Sequence, residues 1–202
     1  MDFLRLDHGD SIEDHAARIA RWIFESGQAF FAVLFGDKER AIGTLRKWVI
    51  RQSSEFSAFQ ATLACGTNEP VGMFIGVPGG ELDRRRRADL LALIQQTPTA
   101  ERVDLKAKLQ EIGELTAPVS EEHYYIRTLV VDASERGRGT GGRLLDRAIA
   151  DARALGFSGV RLDVDSDNEP ARRLYRRAGF RSIYEGNAPT LRLRMHSMVL
   201  TF

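Results

Sequence analysis

The segment "VVDASERGRGTGGRLL", from Val130 to Leu145, packs four glycines into six consecutive positions, Gly137-Arg138-Gly139-Thr140-Gly141-Gly142. An ordinary turn seldom needs so many. The six residues fit G-x-G-x-x-G, the fingerprint of dinucleotide-binding loops, and read from Arg136 they equally fit R-x-x-G-x-G. Either pattern sets a glycine-rich turn at the start of a helix, where unpaired backbone N–H groups and the positive end of the helix dipole face an anion. Side chains at Gly137, Gly139, Gly141 and Gly142 would block that approach, while Arg136 and Arg138 add charge-assisted contacts to phosphate oxygens.

Working outward from this loop, "HYYIRTLVVD" before it reads as a strand. "GTGGRLLDRAIADARALGF" after it reads as a helix with Leu144, Leu145, Ala148, Ile149 and Ala152 on one face and Gly156 as its stop. "GVRLDVD" is the next strand, so the centre is a β-α-β unit with a parallel pair. "EPARRLYRRAGF" places Pro170 at a helix start and Gly179 just past its end, and "FRSIYEG" and "LRLRMHSMVLTF" are two last strands.

Towards the N-terminus, "DSIEDHAARIARWIFESG" is an amphipathic helix capped by Asp10 or Ser11, with Ile12, Ala16, Ile19 and Ile23 at helical spacing. A second helix, "GDKERAIGTLRKWVIRQ", has Asp37 as its cap, Glu39 in its first turn and Ile42, Leu45 and Val49 as its stripe. The apolar stretch "QAFFAVLF" is read as the linker between them. "FSAFQATLACGTNEPVGMFIGVPGG" predicts a hairpin turning at "GTNEP". Residues 81 to 115 switch to charged helical patterning broken at Thr97-Pro98-Thr99, which predicts a helical hairpin inserted at 79–118 between strands; Asp83 to Arg87 is read as its solvated face. It would serve as a lid, a dimer arm or decoration.

The whole chain sets bounds on function. Its 202 residues suffice for one domain with a core of its own. A net charge of +1 is too balanced for the broad basic surface of non-specific nucleic-acid binding. The apolar runs fall well short of the ~20 residues of a membrane span, and "MD" does not open like a signal peptide, so no membrane partner and a cytoplasmic location are expected. The single cysteine, Cys65, cannot form an internal disulfide, and His8, His15, His123 and His196 are too scattered for a metal site.

For a dinucleotide, Asp163 and Asp165 lie about 20 residues beyond the loop at a strand end, where a ribose-binding acid belongs. Against it, Asp132 to Arg136 separate the strand from the first glycine, which makes the loop too long. Only 60 residues follow Gly142, too few for the further β-α units of a doubly wound domain. No Gly-Lys-Ser/Thr follows for a Walker loop.

"LVVDASERGRGTGGRLL" followed, after one helix and one strand, by "NEPARRLYRRAGF" resembles the Gcn5-related N-acetyltransferase (GNAT) family. The resemblance covers residues 123 to 185, while the first 120 residues fit the family's order of elements without carrying a motif. It implies an acyl-CoA N-acyltransferase fold: mixed α/β, with a mostly antiparallel sheet of about seven strands, a central parallel pair and flanking helices. It also implies transfer of acetyl from acetyl-CoA, without a metal, to a primary amine, taken here as a small molecule. A protein amine, or a non-catalytic coenzyme A-binding regulator, would carry the same motif. The resemblance assigns Arg136, Gly137, Arg138, Gly139, Thr140, Gly141 and Gly142 to the pyrophosphate. It gives the main chain of Leu129, Val130 and Val131 to the pantetheine arm, on a strand that separates from its parallel neighbour. Asn168 would contact that arm, or else serve as a helix-entry residue before Pro170.

Acetyl transfer needs an acceptor for the ammonium proton and a donor for the departing thiolate. The resemblance makes Tyr175 the donor, although Tyr175 also shares a helix stripe with Ala171, Leu174 and Ala178. Where some members carry a glutamate on the strand before the loop, this chain has Tyr125. His123 lies two residues earlier on the same face, with Glu122 before it, and these two are the candidate bases. Cys65 is read as a strand cysteine rather than an acyl carrier. The acceptor site is expected from "QAFFAVLFGD", with Phe30, Phe31 and Phe35 either lining it or in the core, and from Tyr184 to Leu191. A homodimer stays open.

Overall fold

The computed structural model describes residues 1–6, 12–67 and 69–202. In chain order they form strand β1 (Asp2–Arg5), helices α1 (Ile12–Ser26), α2 (Gln28–Phe35) and α3 (Lys38–Val49), and strands β2 (Ala61–Cys65) and β3 (Pro70–Pro78). Helices α4 (Gly79–Gln96) and α5 (Arg102–Gly113) follow, then strand β4 (His123–Val131), helix α6 (Thr140–Ala154) and strand β5 (Gly159–Asp165). Helix α7 (Glu169–Arg177) and strands β6 (Arg181–Ala188) and β7 (Leu193–Thr201) complete the chain.

The strands make one sheet in the order β1-β2-β3-β4-β5-β7-β6. Every neighbouring pair is antiparallel except β4 and β5, which α6 connects as a crossover. The mixed α/β fold expected from the sequence is the one observed, and the hairpin α4–α5 sits between β3 and β4 with its break at Thr97–Thr99.

The helical stripes fall where their periodicity puts them. Ile12, Ala16, Ile19 and Ile23 of α1 are buried, and so are Leu45 and Val49 of α3. Asp37 caps α3, its Oδ1 accepting from Arg40 N–H at 2.8 Å. The caps expected for α1, Asp10 and Ser11, lie outside the described residues, as does Asn68 in the β2–β3 turn.

Two segments differ from the sequence reading. "QAFFAVLF" is the helix α2, not a linker. Seven of its eight residues are apolar and they cover all sides, so periodicity is silent, but Phe31 and Phe35, four positions apart, stack with centroids 6.2 Å apart and both are buried. The N-terminal residues form β1, a four-residue edge strand held by pairing with β2 from Asp2↔Cys65 to Arg5↔Thr62. Its sequence is too short to announce itself, because an edge strand draws its stability from the ladder rather than from its own pattern.

Helices cover both faces of the sheet. Met73, Ile75, Val77, Tyr125 and Val130 pack towards α1, α2 and α3, while Phe74, Tyr124, Ile126, Val160 and Leu162 pack towards α6 and α7. Tyr125 and Val130 share a face although they are five positions apart. The β3–β4 register explains it: Ile75 pairs with Thr128 and Gly76 with Ile126, so Arg127 is an extra residue that flips the alternation. No helix among the described residues is long and apolar enough to cross a membrane.

Candidate active site

The bulge at Arg127 marks where the parallel pair opens. Bridges between β4 and β5 run from His123↔Gly159 to Ile126↔Leu162 and stop there. Beyond this point β5 pairs only with β7, and β4 only with β3. The backbone edge of Arg127 to Val131 that faces β5 therefore has no strand partner among the described residues, which places Leu129, Val130 and Val131 on a free edge.

The loop after β4 is built to start α6 without blocking it. Asp132 accepts from Ser134 N–H at 3.1 Å and Ser134 Oγ at 2.8 Å, closing a single helical turn, and these bonds hold its carboxyl below the usual range. Gly137 and Gly139 adopt φ of 78° and 83°, where a side chain would be strained. Gly139 caps α6 without any side-chain hydrogen bond, and the first turn of α6 carries no acidic residue. The first backbone bond within the helix is Arg143 N–H to Gly139 O at 3.2 Å, so the N–H groups of Thr140, Gly141 and Gly142 point out of the helix end.

Gly142 is the telling member. Its φ is not positive, and a Cβ built there would meet nothing within 4 Å. Neither the fold nor its packing requires glycine at this position; an anion drawn onto the helix end would. Arg136 Nε donates to Val131 O at 3.1 Å and Arg138 pairs with Glu135 at 3.2 Å, both side chains exposed at the mouth of this cradle.

The gap between β4 and β5 opens into a cavity of about 530 Å³. Leu129, Asn168, Ala171 and Tyr175 line it on the cradle side. Asn168 Oδ1 accepts from Ala171 N–H at 3.2 Å, so it does cap α7, and this uses its carbonyl oxygen alone. Tyr175 is buried on α7 beside Phe180, with centroids 5.9 Å apart, and burial pushes its phenol up to about 12. Tyr175 packs in the core under α6 and also lines the cavity.

His123 and Glu122 are not brought there. His123 begins β4, paired with Gly159, and its imidazole is held below its ordinary pKa first by burial and then by Arg161. Glu122 is exposed, and its carbonyl accepts from Ser158 N–H at 3.0 Å. Neither lines the cavity.

The polar floor of the cavity combines Tyr125 and Asp163, which the sequence reading noted in other roles, with Glu55, Arg86, Asp89 and Arg127, which it did not assign to the site. Tyr125 Oη donates to Asp163 Oδ2 at 2.8 Å, while Asp163 Oδ1 accepts from Ser197 Oγ at 2.6 Å and pairs with the buried Arg161 at 3.0 Å. Glu55 Oε2 lies 3.2 Å from Arg86 Nε and 2.8 Å from Arg127 Nε. The second contact lacks hydrogen-bond geometry, and the Arg127 guanidinium instead lies 4.0 Å over the Phe56 ring. Asp89 of α4, 2% exposed, accepts from Ser54 Oγ and Glu55 N–H, both at 2.9 Å, and faces Arg51 at 3.4 Å. Burial pushes its carboxyl up to about 6 against the pull of those donors.

The run Asp83 to Arg87 is therefore not all solvated. Arg85 is buried, donating to the carbonyls of Gln52 and Ser54, and Arg86 turns to the cavity, while Asp83, Arg84 and Arg87 are exposed. The signal was in the spacing: Leu82, Arg85, Asp89 and Leu93 form one helical stripe, legible only if charged residues are allowed on a buried face. Phe30 and Phe31 line the cavity, whereas Phe35 packs against Trp48 in the core at 5.7 Å. Leu193, Arg194 and Met195 take the place expected of Tyr184 to Leu191.

A sheet with one parallel pair is not the doubly wound sheet that a dinucleotide fingerprint requires. The comparisons with known proteins agree. Among solved structures, the fold matches an N-acetyltransferase from Staphylococcus aureus Mu50 (TM-score 0.71, 17% identity, 99% of this chain and 100% of that one). It also matches a ribosomal-protein-S18-alanine N-acetyltransferase from Escherichia coli (TM-score 0.55, 14% identity, 99% and 92%). At these identities the likeness is one of fold. A search of curated proteins found no match. The model of the acetyltransferase (GNAT) family matches residues 9–180, most of the chain and all of the cradle, and the chain belongs to that family.

Proposed function

We propose that this chain is one acetyltransferase domain, with the 79–118 hairpin inserted in it, that moves acetyl from acetyl-CoA to the primary amine of a small acceptor by direct transfer. A cytoplasmic setting is part of this reading. The observation that carries it is the continuity of one cavity, which joins the free edge of β4 and Tyr175 to a chamber under α2, α4 and α5.

When bound, acetyl-CoA supplies an acyl group already activated as a thioester. The N–H groups of Thr140, Gly141 and Gly142, with Gly137 and Gly139 keeping the approach clear and Arg136 and Arg138 beside it, are fitted to hold the pyrophosphate. Leu129 to Val131 offer main-chain groups to an extended arm as a further strand would. Asn168 retains its amide N–H groups for the same arm.

Tyr175 keeps its proton throughout the physiological range. A phenol at about 12 facing a thiolate near the usual ~8.5 would lose about 5 kcal/mol by full transfer. Its contribution is accordingly an O–H donated to charge developing on the leaving sulfur, worth about 10²–10³-fold for a preorganised donor. His123 and Glu122 could take the ammonium proton only through a water chain from outside the cavity. The carboxylates already lining it are the better-placed acceptors.

Coenzyme A release across a library of amines, with the acetylated product weighed by mass spectrometry, tests the proposal. Release that depends on the amine is expected. Tight binding of acetyl-CoA with no turnover on any amine would instead make the chain a coenzyme A-binding module.

A further inference from the structure

The half of the cavity away from the cradle is walled by Phe30 and Leu34 of α2, Leu90 and Leu93 of α4, and Leu109 and Ile112 of α5. Four of these six residues come from the inserted hairpin. The hairpin is fixed at both ends rather than hanging free. At one end Arg40 of α3 pairs with Glu101 at 3.2 Å, and Arg85 ties α4 to the segment before β2. At the other, Tyr184 Oη donates to Glu114 O at 3.0 Å, and Thr190 N–H donates to Glu111 Oε2 at 3.2 Å. Phe30, Val33 and Ile112 pack there against Leu115 and Leu193. Helix α5 thus spans from α3 to the β6–β7 turn across the side of the cavity remote from the cradle.

We infer that the hairpin α4–α5 is the roof of the acceptor site, and that the acceptor is a small amphipathic amine whose hydrocarbon or aromatic part lies against this apolar wall while its ammonium faces the polar floor. The inference rests on the acetyl-transfer reading and names the substrate class of that site.

Three observations converge on it. A volume of about 530 Å³ is that of a pocket for one drug-sized ligand, and here the acyl-bearing arm and the acceptor must share it. A polypeptide acceptor advances about 3.3 Å per extended residue, so it needs a groove running on past the site, which is where α5 lies. The residues lining the cavity include five carboxylates, Glu55, Asp83, Asp89, Asp163 and Asp165, against three guanidiniums, Arg86, Arg127 and Arg194. Arg51 and Arg161 stand behind two of those carboxylates. Counted with these two the charges balance, so the floor can take one ammonium at an individual carboxylate but has no surplus charge to hold two. A second ammonium, as on a polyamine, would have to sit among leucines without a partner.

The test uses the full chain with acetyl-CoA and four acceptor types: phenethylamine, hexylamine, spermidine and an alanine-initiated hexapeptide. The expected kcat/KM for phenethylamine or hexylamine exceeds that for spermidine and for the peptide by ~100-fold, the scale of discrimination set by one or two apolar contacts. In Leu90→Asp, at a wall position 38% exposed and so tolerant of a polar residue, kcat/KM for the preferred amine should fall by ~10-fold or more, with the melting shift caused by acetyl-CoA unchanged. Equal or better turnover of the peptide or spermidine, or an unaltered Leu90→Asp enzyme, overturns the acceptor assignment while leaving acetyl transfer intact. Absence of coenzyme A release with any of the four, despite acetyl-CoA binding, overturns both.

Discussion

The cradle and the chamber lie at the two ends of the free edge of β4 and are made in opposite ways. The cradle, from Val131 to Gly142, presents backbone: glycines, N–H groups and a helix end that no acidic residue neutralises. The chamber presents side chains drawn from α2, α4, α5 and the segment before β2, which meet only in the fold. A backbone site depends on a few residues close together in the chain and leaves a readable motif. A side-chain site assembled from distant elements leaves none. The difference explains how a chain can disclose what it takes its acyl group from while hiding what it gives that group to.

Replacing Tyr175 by Phe probes the border between the two ends and carries the largest expected effect. Turnover measured in a single cycle with a saturating amine should fall about 10²–10³-fold, while acetyl-CoA affinity and melting temperature stay close to wild type. A lower melting temperature with near-normal turnover would make the tyrosine part of the packing alone and erase the border.

Asp89 tests whether the chamber carries a built-in electrostatic cost. Its folded carboxyl is raised to about 6 from 3.8, so between these values the folded protein binds more protons than the unfolded chain. Its contribution therefore favours the fold at low pH and is lost as pH rises through about 6. A carboxyl displaced this far changes stability by about 3 kcal/mol at most. Denaturant titrations of wild type and Asp89→Asn at pH 5 and pH 7 should show the variant gaining stability relative to wild type at the higher pH. Parallel behaviour at both pH values would mean the carboxylate is stabilised as well in the fold as in water.

Smallest of all should be the effect of Glu101→Gln at the surface end of the hairpin. The Arg40–Glu101 pair is half exposed on both sides, at 46% and 52%, and such pairs contribute about 0–1 kcal/mol. Unfolding free energy should move by less than about 1 kcal/mol. A larger loss would mean that this ion pair, rather than packing around Leu115 and Leu193, holds the roof in place.

Much of the fold was legible because amphipathic periodicity survives wherever an element has one wet face, as in α1, α3 and α6. It failed at α2, which is apolar on all sides, and at β1, which borrows its stability from a neighbour. Within the candidate site, Gly137 to Gly142 stood out by their own spacing, and Tyr175 and Asn168 through the family resemblance of the segment that holds them. Glu55, Arg86 and Asp89 did not, because a charge on a helix or a loop reads as solvated until the partner that buries it is known. Tyr125 was noticed only as a missing carboxylate. The structure shows that it supports the floor of the cavity through Asp163.

The proposed function makes acetyl-CoA binding depend on the cradle, and Gly142→Asp tests that dependence most directly. Aspartate in the first turn of α6 should leave the free protein as stable as wild type or more so by about 0.3–1 kcal/mol, since it complements the helix dipole. A Cβ at this position would meet nothing within 4 Å. The same carboxylate should repel a pyrophosphate. Thermal melts of wild type should rise with acetyl-CoA, by about 2.7 kcal/mol of added stability at 100 times its Kd, and should not move with NAD, whereas Gly142→Asp should show no rise with either. A variant that still gains stability from acetyl-CoA, or a wild type equally stabilised by NAD, would contradict it.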